Sequence, residues 1–212
     1  MPAGPIVLQQ GWQFRLDPND EGLREAWQDP HTPFAAQRLM DTGASLADQG
    51  IAGYSGVSWF RQKVSIPDHW QRVVLGFGAL DRACDLYVNG RWLGHFDDTA
   101  LGAKAASLDL SHIVAPGQQA VIVFRVTGTG GFGGIKQDVK LGQDESQVMT
   151  GEQYLMFLHD QHPDWRLPAW LNGGARAWVV AGVEGGDAKA IVATDGSFSP
   201  YAGSYGATFW LY

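Results

Sequence analysis

Between residues 11 and 142 the sequence runs in short apolar–polar alternations, and turn residues close each run after roughly ten positions. Nothing else in the chain constrains the fold as much. A period of two puts one face of each strand in the core, and a turn that often leaves room only for antiparallel neighbours. The signal is sharpest in "ACDLYVNGRWLGHF" (83–96), which breaks at Asn89-Gly90. Asn-Gly favours a two-residue hairpin turn, because both turn positions need positive φ. The same stretch carries Trp92, His95, Asp97 and Asp98. It therefore reads as scaffold or as a place for chemistry.

The other runs follow the same rule. "GWQFRLD" (11–17) sets Trp12, Phe14 and Leu16 against polar neighbours. "VSWFRQKVSIP" (57–67) places Trp59, Arg61 and Lys63 on one face, Phe60 and Val64 nearer the other, and ends at Pro67. "RVVLGFGAL" (72–80) is a nearly continuous apolar strand, "AASLDLSHIV" (105–114) a strand with a short turn after it, and "PGQQAVIVFRVTG" (116–128) a turn followed by a strong strand. "GIKQDVKLG" (134–142) closes the series. "DPNDEGLREAW" (17–27) is rich in oxygen ligands, but its spacing departs from a calcium loop. We read Asp20 there as the N-cap of a short turn ending near Trp27.

From residue 147 the pattern changes. Thr150-x-x-Gln153 is a capping box, and Tyr154, Leu155, Phe157 and Leu158 form an apolar helical face stopped by Pro163. Three strand-like runs follow, "RAWVVAGVEG", "AKAIVATDGSFS" and "GATFWLY", with Asp195-Gly196 as a second tight turn. The expected organisation is an antiparallel sandwich or barrel over 1–146, then a helix plus strands over 147–212, as a sheet extension or the start of a further domain.

Composition excludes several functions. The formal net charge is −7, which opposes a nucleic-acid surface built on Lys and Arg. Charged residues make up only 17% of the chain, and 28 glycines suit tight turns. No stretch approaches the ~20 apolar residues of a membrane span. No charged segment followed by an apolar core opens the chain, so no signal peptide is expected in it. The single cysteine, Cys84, forms no internal disulfide and reads as a buried small hydrophobe.

The chemical motifs are weak one by one. Asp97 and Asp98 are adjacent, whereas glycoside hydrolysis needs two carboxylates on opposite sides of a bond, roughly 5–10 Å apart. His159 and His162 have a metal-like spacing without a third ligand. His95 and His112 read as satisfied surface histidines. "GTGGFGGI" (128–135) precedes a strand, and a phosphate cradle needs a helix N-terminus. No cofactor or metal is called for. Nine tryptophans could stack on sugar C–H faces, but most belong in a core, with two or three at the surface.

Taken in order, "YSGVSWFRQKVSIP", "LGFGALDRACDLYVNGRWLGHFDDT", "LDLSHIV", "QQAVIVFRVTG" and "GGIKQDVKL" resemble the sugar-binding jelly-roll domain of glycoside hydrolase family 2, the β-galactosidase and β-glucuronidase group. The resemblance spans residues 11–142. It implies an all-β, antiparallel, galactose-binding-like jelly-roll sandwich, with the "VNG" hairpin as scaffold. The family's catalytic glutamates lie in a separate barrel of about 250 residues, which this chain cannot contain. The implied function is a non-catalytic carbohydrate-binding or accessory domain that partners the catalytic domain of a larger enzyme. The alternative is a purely structural packing or oligomerisation domain, and a self-sufficient glycosidase is the third reading. In some relatives an Asn and an Asp of two loops reach the active site. Here Ser55 and Gly128 stand at the approximate positions, so those side chains are not reproduced. The implied ligand site gathers Tyr54, Ser55, Phe132 and Lys136 at one end of the sandwich.

Overall fold

The computed structural model describes residues 4–78, 82–97, 106–149, 177–184, 187–194 and 207–211. The chain divides into two compact units, Met1–Met149 and Thr150–Tyr212.

The first unit is an antiparallel β-sandwich with jelly-roll strand order. One sheet has six strands: β3 (Arg38–Met40), β2 (Trp12–Asp17), β4 (Gly56–Ser65), β9 (Gln119–Gly128), β6 (Ala83–Val88) and β7 (Arg91–Asp97), in that spatial order. The other has four: β1 (Ile6–Leu8), β10 (Val139–Gly142), β5 (Val74–Phe77) and β8 (Ala106–Asp109). All pairings are antiparallel. The expected alternation holds. Trp12 and Phe14 of β2, Phe60 of β4, Leu86 of β6 and Phe124 of β9 point into a core shared with Leu75, Phe77 and Leu141. Phe124 packs edge-on to both Trp12 and Phe77, at 5.7 and 5.3 Å between ring centres. Edge-on geometry sets positive ring edges against negative faces.

The near-continuous burial of β9 has a structural cause. Ile122, Phe124 and Val126 face the sandwich core, while Val121 and Val123 face a second apolar cluster on the outer side of the sheet, with Trp27, Val57, Trp59 and Tyr87. Residues 17–37 fold over that outer side. Arg61, only 2% exposed, anchors them by donating from Nη1 to the Thr32 carbonyl and from Nη2 to the Pro30 carbonyl. A strand covered on both faces loses its alternation.

Helix α1 (Glu145–Val148) lies against the four-stranded sheet. A Cβ on Gly76 would sit 2.5 Å from Val148 Cβ, so glycine there lets the helix reach β5. Arg72 clasps the junction, bonded to Asp109 at the end of β8 and to Glu145 of α1.

Three expectations are corrected. Asp20 is no N-cap: its φ is +52°, whereas a cap residue is extended. Asp17 does that work, its carboxylate accepting from the Glu21 and Gly22 amides. The strand expected over 134–142 is limited to Val139–Gly142. Residues 131 and 135 bond instead to the 43–47 segment, through Ala47 N–H to the Gly131 carbonyl and Gly43 N–H to the Ile135 carbonyl. In the described part of the apolar run 72–80 the strand is Val74–Phe77, and residues 79–80 lie outside the described residues. Strands β1 and β3 were not anticipated; three residues are too few to show a period.

The second unit contains a three-stranded antiparallel sheet of β11 (Ala177–Glu184), β12 (Asp187–Thr194) and β13 (Ala207–Leu211), in sequence order. All three expected strand runs are present. The helix expected between the Thr150 capping box and Pro163, the turn at Asp195-Gly196, Asp98, His159 and His162 lie outside the described residues.

Candidate functional site

The β4–β9 ladder ends at the pair Gly56–Gly128, and the loops beyond it meet. Gly128 has no room for a side chain: a Cβ would lie 2.0 Å from the Phe132 carbonyl oxygen. The chain turns back at once, with the Phe132 amide bonded to the Thr129 carbonyl at 3.0 Å, and Gly130 and Gly131 at φ of +66° and +87°. The 50–55 segment docks on this turn. The Gly131 amide donates to the Tyr54 carbonyl at 2.7 Å, and the Gly130 amide donates to Ser55 Oγ at 2.9 Å. Both glycines adopt the left-handed backbone that side chains disfavour.

These bonds settle what each expected side chain is free to do. Tyr54 is half-buried against the core, and its hydroxyl donates to the Val57 carbonyl at 2.7 Å. Burial pushes its phenol above the ordinary range. Ser55 is exposed, but its Oγ already accepts from Gly130. Phe132 presents 55% of its surface to solvent. Lys136 is exposed, close enough to Asp48 to help hold that carboxylate low. The larger causes there are hydrogen bonds from the Ser45 hydroxyl and amide to Asp48 Oδ2, at 2.7 and 3.1 Å.

The structure thus joins the Tyr54–Ser55 segment to the 128–134 loop. The Ser45–Asp48 turn beside them was missed by sequence reasoning. Its serine-x-x-aspartate spacing was the available signal.

Asn89 and Gly90 have φ of +49° and +79°, the two-residue turn expected. Cys84 is 1% exposed, and burial raises its thiol far above the ordinary range, so it is inert packing. Asp97 closes β7 opposite Ala83. Among the described residues no group of three His, Cys, Asp or Glu side chains could hold a metal ion. No described helix is long and apolar enough to cross a membrane.

No protein-family model matches the sequence, and no curated protein matches it. Solved structures do. A β-glucuronidase from Ruminococcus gnavus superposes with a TM-score of 0.56 at 17% identity, over 90% of this chain and 32% of that one. Its complex with uronic isofagomine gives 0.57 at 16% identity, over 90% and 33%. Its complex with D-glucuronic acid gives 0.55 at 16%, over 92% and 35%. At this identity the likeness is one of fold. The chain spans about a third of the length of these structures.

Proposed function

We propose that this chain is a non-catalytic accessory domain of a glycoside hydrolase of the β-galactosidase and β-glucuronidase group, and that it binds carbohydrate at the 128–134 loop. The observation that carries the reading is the fold likeness, confined to about a third of a larger β-glucuronidase. On this reading residues 1–146 are the sugar-binding domain and 147–212 begin a further domain or extend a sheet.

The exposed Phe132 ring supplies the stacking surface. Lys136 and the Ser45–Asp48 turn supply hydrogen-bonding groups beside it. Tyr54 and Ser55 serve the site by shaping the loop, since both hydroxyls already bond to the protein backbone. Those two bonds also favour the second reading, a structural domain without sugar binding, in which Phe132 meets a neighbouring domain. A stacked sugar held by few hydrogen bonds binds with a dissociation constant on the order of 0.1–1 mM.

An activity assay and affinity electrophoresis test the proposal together. The purified chain should release no chromophore from aryl β-galactosides or β-glucuronides. It should be retarded in gels carrying immobilised sugar, and Phe132→Ala should remove the retardation. Hydrolysis abolished by one Asp or Glu substitution would overturn the non-catalytic part. Unretarded migration of the parent chain would leave the structural reading in place.

A further inference from the structure

One line of residues crosses the outer face of the six-stranded sheet at a single register level. Arg15 stands opposite Trp59, Trp59 opposite Arg125, Arg125 opposite Asp85, and Asp85 opposite His95. The 17–37 segment covers the first half of the line: Trp27 packs edge-on to Trp59, and the Arg15 guanidinium lies 3.8 Å from the Trp27 ring centre. Next along the line, Arg125 Nη2 donates to Asp20 Oδ1 at 2.7 Å. Past that bond the line opens to solvent on the hairpin. The His95 side chain is 54% exposed, and beside it Trp92 is 57% exposed.

Asp85 organises this open part. Its Oδ1 meets His95 Nδ1 at 3.0 Å and Trp92 Nε1 at 3.4 Å, and its Oδ2 accepts from Arg125 Nη1 at 3.0 Å. The carboxylate thereby fixes the indole and the imidazole before any ligand arrives, which lowers the ordering cost of binding. Using Nδ1 for Asp85 leaves His95 Nε2 for a ligand hydroxyl. Asp20, 54% exposed, spends Oδ1 on Arg125 and keeps Oδ2 as an acceptor. Burial works to lower the Arg125 pKa, but its bonds to Asp20 and Asp85 outweigh that and raise it. At the open end, away from Arg15, two carboxylates flank one guanidinium and leave the shelf negative.

An exposed indole flanked by acceptors at His95 Nε2 and Asp20 Oδ2 fits a ring with an apolar C–H face and donating hydroxyls. Two strand spacings separate Arg125 from His95, about 10 Å, enough to seat one sugar ring. The negative shelf disfavours an anionic ring. We propose that Trp92, His95, Asp85 and Asp20 form a second ligand site, for a neutral pyranoside, on the sheet face and apart from the 128–134 loop. It does not depend on the loop reading.

The test is a titration of the isotope-labelled full chain with methyl β-galactopyranoside, methyl β-glucopyranoside and glucuronate. The Trp92 indole resonance is assigned by its loss in Trp92→Phe. The neutral glycosides should move that resonance and the His95 amide, with half-saturation on the order of 1–10 mM. Glucuronate should move them at least about fivefold less at equal concentration. Trp92→Ala, on an exposed edge strand, should keep the melting profile and reduce the His95 shift about tenfold. A Trp92 indole unmoved by either neutral glycoside at ~50 mM, far above the expected constant, overturns the proposal. So does glucuronate acting as strongly as the neutral sugars. Shifts confined to 128–134 would defeat this site and leave the loop reading standing; shifts confined to Trp92 and His95 would do the reverse.

Discussion

Asp17 shows what one buried side chain contributes here. It is 2% exposed, and its carboxylate takes hydrogen bonds from the Glu21 amide, the Gly22 amide and Trp59 Nε1, at 2.8, 2.9 and 2.9 Å. It ties the covering segment to the sheet. Asp17→Ala strands buried donors and should destabilise the fold by about 3 kcal/mol, read as a lower urea midpoint. The sequence pointed to Asp20 because both aspartates precede the turn; the Glu21 and Gly22 amides, together with the tertiary bond from Trp59, 42 residues away, single out Asp17. Asp109 carries a pH dependence. Hydrogen bonding from Ser111, with help from Arg72, holds its pKa at about 2, below the usual 3.8. A depressed carboxylate contributes stability that is complete above about pH 4 and is lost as pH falls through the folded value. Unfolding midpoints should decline between about pH 4 and pH 2, and Asp109→Asn should flatten that decline. Because Asp109 is 43% exposed, solvent screening keeps the effect small.

At the scale of elements, the 83–97 hairpin divides what was legible from what was not. The turn was legible: Asn-Gly needs positive φ at both positions and has it. Gly90→Ala combines left-handed strain with a Cβ 3.3 Å from Pro30 Cδ, and should cost about 1–2 kcal/mol in a thermal melt. An unchanged melt would mean the turn is not under that constraint. The register was not legible. Counting outward from the turn pairs Asp85 with Gly94, but Leu86 pairs with Gly94 and Tyr87 with Trp92, so Leu93 is an extra residue. That bulge sets His95 opposite Asp85 and creates the polar shelf. The 128–134 loop was legible in part. Its glycines announced tight turns, and the ends of β4 and β9 were expected to meet. That the Tyr54 and Ser55 hydroxyls would be taken up by backbone groups depends on three-dimensional contacts no single run reveals.

For the whole molecule, alternation and turn spacing were enough to read a two-sheet sandwich, because burial of one strand face is a local constraint repeated many times. They missed the second apolar cluster, since the 17–37 segment that covers it has no period of its own. Among the described residues, the buried apolar residues of the sandwich core come from positions 8–141, and Met1–Met149 is a compact unit by itself. A chain ending at residue 149 should therefore fold cooperatively, with a melting temperature within about 3 °C of the matching transition in the full chain. Loss of that transition would make residues 150–212 part of the folding unit. The central claim, a sugar-binding loop on a non-catalytic domain, is tested most directly by titrating the labelled full chain with galactosides and glucuronides while following residues 52–57 and 127–134. The account predicts shifts in those segments that saturate on the order of 0.1–1 mM and vanish in Phe132→Ala without change in the melt. Flat titrations there at ~10 mM sugar, well above that constant, would contradict it.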